Sequence, residues 1–342
     1  MTMQETHTSP IDDPVLDISG LTVEIASGGQ IGMALSDISL HVAKGECLGL
    51  VGESGSGKSL TALAVVGLLP KKVARIVRGS VRVDGDSAYA EDGHYKDGLR
   101  GGKVAMILQD PMSALNPVLK IGDQVEEAIR GRSAMSAVQR RDRAIEMLDL
   151  LKINRPAERV GWYPHQFSGG MRQRVVSAAA LACEPRLLIA DEPTTALDVT
   201  VEASFSRLLK QLQRDLDLSV LYISHDFSVV AKMCDRVSVM YGGTIVETGR
   251  TEEVLRTPIH PYTDGLIRSI PDVTQKVEWL EPIDGQPPSI FDAPAGCPFA
   301  PRCAHASPQC QTDRPPLAET PDGRHYRCWH PLTDNAQDAA DA

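Results

Sequence analysis

Gly52-Glu53-Ser54-Gly55-Ser56-Gly57-Lys58-Ser59 is the stretch on which the reading of this 342-residue chain turns. It satisfies the pattern G-x-x-x-x-G-K-[ST] at every fixed position. The apolar run Cys47-Leu48-Gly49-Leu50-Val51 precedes it and a helix-like run from Leu60 to Leu69 follows. That strand–loop–helix setting is the one in which the pattern cradles phosphate. Glycines allow backbone N–H groups to crowd around an anion, and the helix N-terminus adds the positive end of its dipole. Gly52, Ser54, Gly55, Ser56, Gly57 and Leu60 are therefore the expected nucleotide contacts. Lys58 is placed to reach the β- and γ-phosphates, and the Ser59 hydroxyl to hold Mg²⁺. A simple Gly/Ser turn leaves the lysine unexplained.

Working outward, Val15–Ile25, Ile38–Val42, Ser80–Asp84 and Val104–Leu108 read as strands around the loop. Residues 112–170 are more helical, with Val138, Ile145, Leu148 and Leu151 at helical spacing after Ser136. Leu187–Ala190 and Val220–Ile223 are short apolar strands, and Arg236–Thr248 reads as a hairpin turning at Gly242-Gly243. Strands alternating with helices imply an α/β fold with a mainly parallel sheet. After about residue 250 the composition shifts. Pro271 to Pro301 is proline-rich and weakly periodic, and four cysteines follow closely or lie within it.

Composition narrows the function classes. Apolar residues make up 42% of the chain, enough for a sizeable core, and the net charge of −10 disfavours non-specific binding to nucleic acid. No run approaches 18 uninterrupted apolar residues, so no membrane span is expected. Met1 to Pro14 is polar and acidic, without the basic start and apolar block of a signal peptide, and reads as a flexible N-terminus. A cytosolic protein is expected, with any membrane contact made through a partner. Cys47, Cys183 and Cys234 lie in apolar or helical context and read as small buried hydrophobes.

Further motifs follow the loop in order. Gln109 comes just after the strand Val104–Leu108. Phe167-Ser168-Gly169-Gly170-Met171-Arg172-Gln173-Arg174 is next, then Leu187-Leu188-Ile189-Ala190-Asp191-Glu192 with Ala196-Leu197-Asp198, and finally His225 at a strand end. A carboxylate such as Asp191 at the end of a buried strand needs a partner, and Mg²⁺ shared with Ser59 would be one. Glu192 is the expected acceptor of a proton from an attacking water. Ser224, His225 and Asp226 are not a hydrolase triad, because consecutive residues of an extended chain point in different directions.

Taken together, over roughly residues 15–250, these motifs resemble the nucleotide-binding subunit of an ABC transporter. The resemblance implies a P-loop NTPase core of the ABC-type ATPase, with an antiparallel β subdomain and a helical subdomain at about 112–170. It implies that Gln109 senses Mg²⁺ and γ-phosphate and that His225 contacts the γ-phosphate. Glu192, His225 and Gln109 are thus the expected catalytic set. It also implies that Ser168, Gly169 and Gly170, with Asp198, complete the ATP site of a second subunit. Met171 replaces the usual Gln of that signature, while the phosphate-facing Ser and Gly are intact. One departure concerns the base. The family stacks adenine on an aromatic residue upstream of the loop, and none occurs between Val23 and Leu40; Ile31 is the apolar surface available there.

The segment Pro258-Ile259-His260-Pro261-Tyr262-Thr263 and the stretch Gly296-Cys297-Pro298-Phe299-Ala300-Pro301-Arg302-Cys303 resemble the C-terminal extension of dipeptide and oligopeptide importer ATPases, an architecture shared by nickel importers. Residues 15–255 are read as the ATPase domain and 256–342 as this extension. Cys297, Cys303, Cys310 and Cys328 have spacings C-x5-C, C-x6-C and C-x17-C. Four thiols in a core-poor segment suggest a metal staple. The spacings are wider than zinc knuckles, and the resemblance implies a [4Fe–4S] cluster, with zinc, disulfides or free thiols as alternatives.

The expected function is an ATP- and Mg²⁺-dependent ATPase subunit of a peptide importer at the cytoplasmic face of the cell (inner) membrane, bound peripherally through its permeases. The implied partners are a second homologous ATPase, as a heterodimer, two transmembrane permease subunits and an extracytoplasmic solute-binding protein, with no nucleic acid. The rival readings are a nickel importer ATPase and a soluble ABC ATPase acting on nucleic acid. The single cassette and the acidic balance speak against the second rival.

Overall fold

The computed structural model describes residues 13–130, 134–195, 197–269 and 283–332. The expected flexible N-terminus lies almost wholly outside them, as do Ala196 and residues 271–282 of the proline-rich segment. Along the chain the strands are β1 (Leu16–Ser27), β2 (Gln30–Val42), β3 (Cys47–Val51), β4 (Ala74–Val83), β5 (Asp86–Ser87), β6 (Val104–Ile107), β7 (Leu187–Asp191), β8 (Ser219–Ser224), β9 (Arg236–Tyr241), β10 (Thr244–Arg250), β11 (Ala318–Glu319) and β12 (His325–Tyr326).

β3, β7 and β8 are buried at every position. Near-continuous apolar runs of this kind belong to parallel strands covered on both faces. They form the centre of a sheet ordered β11-β12-β10-β9-β3-β8-β7-β6, in which β9, β3, β8, β7 and β6 are parallel. The expected hairpin is present: β10 turns back antiparallel on β9 across Gly242 and Gly243, both at positive φ. The last two strands come from the C-terminal extension, where β12 pairs with β10. The extension therefore continues the cassette's own sheet.

The first strands make a separate antiparallel sheet, β2-β1-β4-β5. Its inward residues Leu16, Ile18, Leu21, Val23, Leu35 and Ile38 share one core with Leu48 and Leu50 of β3 and with Ala62 and Val65 of the helix Lys58–Val65. Full burial of a Leu or Val side chain is worth about 1.5–3 kcal/mol, so this layer holds the phosphate strand and its helix from one side. Among the described residues, helices occupy most of the stretch between β6 and β7. Ser136 starts Ala137–Leu150 with a capping box to Gln139. Its buried stripe is Ala144, Met147 and Leu148, whereas Val138 is 70% exposed. The periodicity was right for the helix but not for Val138, which sits in the first turn at the edge of the stripe.

The topology brings the motifs together. The loop follows β3, Gln109 follows β6, Asp191 ends β7 and His225 follows β8. All four lie at the carboxyl ends of parallel strands, where open α/β sheets bind ligands. The register aligns Val51 with Ser224 and Asp191 with Ile223. Among the described residues, no helix is long and apolar enough to cross a membrane.

Candidate active site

The loop is built by backbone constraint. Gly52 has φ +154°, and a Cβ there would stand 2.1 Å from the Met240 carbonyl oxygen; only glycine fits. Gly57 precedes the helix Lys58–Val65, so the helix N-terminus opens toward the loop. Lys58 is 5% exposed and donates from Nζ to the carbonyl oxygens of Gly52 at 2.7 Å and Glu53 at 3.0 Å. Burial lowers its pKa, against the opposing pull of Glu192, Asp191 and Glu53. Ser56 Oγ is buried and has no partner among the described residues. Ser54 and Gly55 are exposed, and Leu60 is half-buried.

Ser59 Oγ donates to Asp191 Oδ1 at 3.1 Å. Burial raises the Asp191 carboxyl, and the Ser59 hydrogen bond only partly offsets this. A buried carboxylate beside a hydroxyl is a hard oxygen donor pair of the kind Mg²⁺ takes. The unpartnered Ser56 hydroxyl, the buried lysine and the open helix end suit a phosphate chain. The residues present thus fit both nucleotide and Mg²⁺.

Glu192 is the hub of the arrangement. Its φ is +44°, a left-handed backbone uncommon for a residue with a Cβ and typical of functional sites. Gln109 Nε2 donates to Oε2 at 2.8 Å, Thr195 Oγ1 donates to the same oxygen at 3.0 Å, and His225 Nδ1 stands 3.2 Å from Oε1. The expected catalytic set therefore converges on one carboxylate. Gln109 meets Glu192 and not Ser59, the other residue expected at the metal. Thr195 is a participant that the motif reading overlooked; a hydroxyl three residues after Glu192 was its only signal.

Ser168 stands at the N-cap of the helix Gly169–Leu181 without a side-chain cap bond, so its hydroxyl is not consumed by the helix. A Cβ at Gly170 would lie 2.4 Å from Val201 Cγ1, whereas at Gly169 it would meet nothing within 4 Å. Asp198 caps the next helix, Val199–Asp215, accepting from Val201 N at 2.9 Å. Where no aromatic precedes the loop, Phe291 of the extension is present. A Cβ on Gly32 would be 3.0 Å from its Cδ1. Ile31 beside it is 68% exposed.

The extension reaches the loop itself. Arg302 donates through Nη1 to Glu53 Oε2 at 2.6 Å and through Nη2 to Glu53 Oε1 at 3.0 Å, while Tyr262 Oη accepts the Glu53 N–H at 2.9 Å. The Glu53 bond, the largest influence, raises the Arg302 pKa above its ordinary value.

The metal centre expected at Cys297, Cys303, Cys310 and Cys328 is overturned. Among the described residues no group of three or more His, Cys, Asp or Glu side chains is placed to hold a metal ion. This removes both the [4Fe–4S] reading and the zinc alternative. None of the seven cysteines forms a disulfide. Cys297 and Cys310 are buried in the main core and Cys303 packs against it. Cys310 Sγ lies 3.6 Å from Ser307 Oγ, and Cys328 Sγ accepts from His330 N at 3.3 Å. Burial pushes the Cys297 and Cys303 thiols up, and that of Cys328 to about 12. Cys297, Cys303 and Cys310 thus serve as packing, and the segment is tied by Cys297 N–H to the Cys310 carbonyl at 2.8 Å.

Comparison with known proteins adds to this geometry. Residues 35–195 match the family model described as ABC transporter, and residues 246–310 match that of the oligopeptide/dipeptide transporter C-terminal region. The chain is 44% identical over 317 residues to the dipeptide transport ATP-binding protein DppD of Bacillus subtilis, covering 93% of this chain and 95% of that protein. It is 41% identical over 338 residues to the oligopeptide transport ATP-binding protein OppD of Escherichia coli, covering 98% and 99%. Among solved structures, a post-hydrolysis dimer of the ATP-binding cassette MJ0796 bound to ADP and Pi superposes with a TM-score of 0.60 at 28% identity, covering 69% of this chain and 98% of that one.

Proposed function

The chain belongs to the ABC transporter family, and on that premise we propose that it is the ATP-binding and ATP-hydrolysing subunit of an importer for dipeptides or oligopeptides. One observation carries the chemistry: Gln109, Thr195 and His225 converge on the Glu192 carboxylate, next to the Asp191–Ser59 pair and the buried Lys58. Lys58, Ser56 and the loop N–H groups hold the phosphates. Ser59 and Asp191 hold Mg²⁺, which when bound neutralises phosphate charge. Glu192 takes the proton of the attacking water, while Gln109 and Thr195 fix its Oε2 and His225 lies beside its Oε1. The DppD and OppD relatives and the matched C-terminal region favour peptides over the nickel alternative.

The remaining parts of the reading follow from the same family. Residues 15–255 form the cassette and 256–342 the extension. Ser168, Gly169 and Gly170 close on the nucleotide of a second, homologous ATPase subunit, and the pair drives two permeases fed by an extracytoplasmic binding protein. The chain then works at the cytoplasmic face of the membrane, held there by the permeases. Support for a dimer comes from the similar MJ0796 cassette, whose structure is that of a dimer. Glu192→Gln tests the assignment. Turnover by the reconstituted transporter falls at least about 100-fold, a general-base loss, while ATP-dependent dimerisation persists. Unchanged hydrolysis would sink the role of Glu192.

A further inference from the structure

We propose that Arg302 and Tyr262 of the C-terminal extension are positioning residues for nucleotide binding, acting through Glu53 on the phosphate loop. The proposal rests on the ATP-binding reading above and goes beyond it, because it gives the extension a part in the ATP site. The argument starts from how completely residue 53 is held. Its N–H goes to Tyr262 Oη at 2.9 Å. Both of its carboxylate oxygens go to the Arg302 fork, at 2.6 and 3.0 Å. Its carbonyl oxygen takes Lys58 Nζ at 3.0 Å. Residue 53 thus links the extension directly to the lysine expected at the phosphates.

The clamp is itself rigid. The Arg302 side chain is only 4% exposed. Its Nε donates to the Asp284 carbonyl at 2.8 Å, Nη2 also to the Ile283 carbonyl at 3.0 Å, and Nη1 lies 3.3 Å from Tyr241 Oη. Tyr262 is fully buried, with its ring edge-on to Tyr241 at 4.5 Å between centroids. A planar, forked guanidinium in this setting fixes direction as well as distance, which a lysine ammonium does not. Anchors elsewhere keep the extension in place without Arg302. Arg327 pairs with Asp37 at 2.6 Å, Arg314 donates to Ser36 at 2.7 Å, and β12 pairs with β10. The fork on Glu53 is therefore not needed merely to attach the extension; it acts on the loop.

ATP titration of the purified full-length chain, with thermal unfolding run in parallel, tests this. Arg302→Ala and Arg302→Lys are each expected to raise the Kd for ATP about tenfold. Arg302→Ala added to Glu53→Gln should raise it no further than either change alone, since both cut the same link. Arg327→Ala, which cuts an anchor away from the loop, should lower stability and leave the Kd unchanged. If Arg302→Ala does not fold, Arg302→Lys carries the test alone. Arg302 variants with wild-type Kd, or Arg327→Ala with the same rise, overturn the proposal. A wild-type chain that does not bind ATP defeats the ATPase reading instead, so the two failures are distinguishable.

Discussion

Gly169 and Gly170 stand side by side at the start of one helix with opposite surroundings. A Cβ at Gly170 would press to 2.4 Å from Val201 Cγ1, and one at Gly169 would meet nothing within 4 Å. Gly170→Ala should therefore cost about 1–3 kcal/mol, as overpacking does. Gly169→Ala should change stability by less than about 1 kcal/mol, yet lower ATP turnover of the assembled transporter by filling the face proposed to close on a second subunit's nucleotide. Urea denaturation and ATPase assays separate the two; equal destabilisation by both would refute the argument. At this scale the sequence was most informative where spacing is fixed by chemistry. The loop, Gln109, Asp191, Glu192 and His225 could be named as candidates because each follows or ends an apolar strand run, and the fold gathers them at the ends of β3, β6, β7 and β8. Thr195, Arg302 and Tyr262 were not identified as site residues. Their contacts depend on directions and long-range approach that no local pattern records: Arg302 lies 249 residues from the Glu53 it holds.

The elements show which signals survive packing. Strands with continuous apolar runs were legible, as was the Gly242-Gly243 hairpin. The cysteine segment was misread because spacing counts thiols but does not aim them. The stretch Pro258–Thr263 is instead organised by a carboxylate. Glu247 of β10 is fully buried and accepts from Ile259 N and His260 N, each at 2.9 Å. His260 Nδ1 in turn accepts from Tyr262 N at 3.0 Å, capping the helix Pro261–Arg268. Burial drives the His260 pKa from 6.5 to about 3. The sign follows from linkage. Below about pH 6.5 the unfolded chain takes up a proton that the folded chain refuses, so stability falls as pH drops toward 3 and is fully present above 6.5. Burial raises the Glu247 carboxyl and acts in the opposite sense, so only a difference isolates the histidine. His260→Asn keeps a side-chain acceptor for Tyr262 N and removes the titration. It should lose about 3 kcal/mol less than the wild type between pH 7 and pH 4. Guanidinium denaturation at the two pH values measures this, and parallel losses in both proteins would contradict it.

Across the whole molecule, the extension and the cassette share a sheet and a core. β12 extends the sheet that carries the site, and Phe299 packs its ring against Tyr241 and Tyr262, with centroids 5.2 and 5.3 Å apart. Tyr241 ends β9, the first strand of the hairpin, Tyr262 holds the phosphate loop through Glu53, and Phe299 is 3% exposed. One aromatic cluster therefore joins the extension's cysteine segment, its Pro258–Thr263 segment and the nucleotide site. The composition shift after residue 250 gave no sign that this segment reaches the loop, as Arg302 and Tyr262 do. Units that share a core in this way unfold together, since neither can expose its face alone without losing the burial of both. Phe299→Ala should destabilise by about 3–5 kcal/mol and shift a single denaturation transition to lower urea. Near-ultraviolet circular dichroism, which in the variant reports the remaining aromatic side chains, and loss of ATP binding should move to the same lower midpoint. An early transition confined to the aromatic signal, with ATP binding lost only at the wild-type midpoint, would mean that the extension folds as a separate body and that the cluster does not tie it to the site.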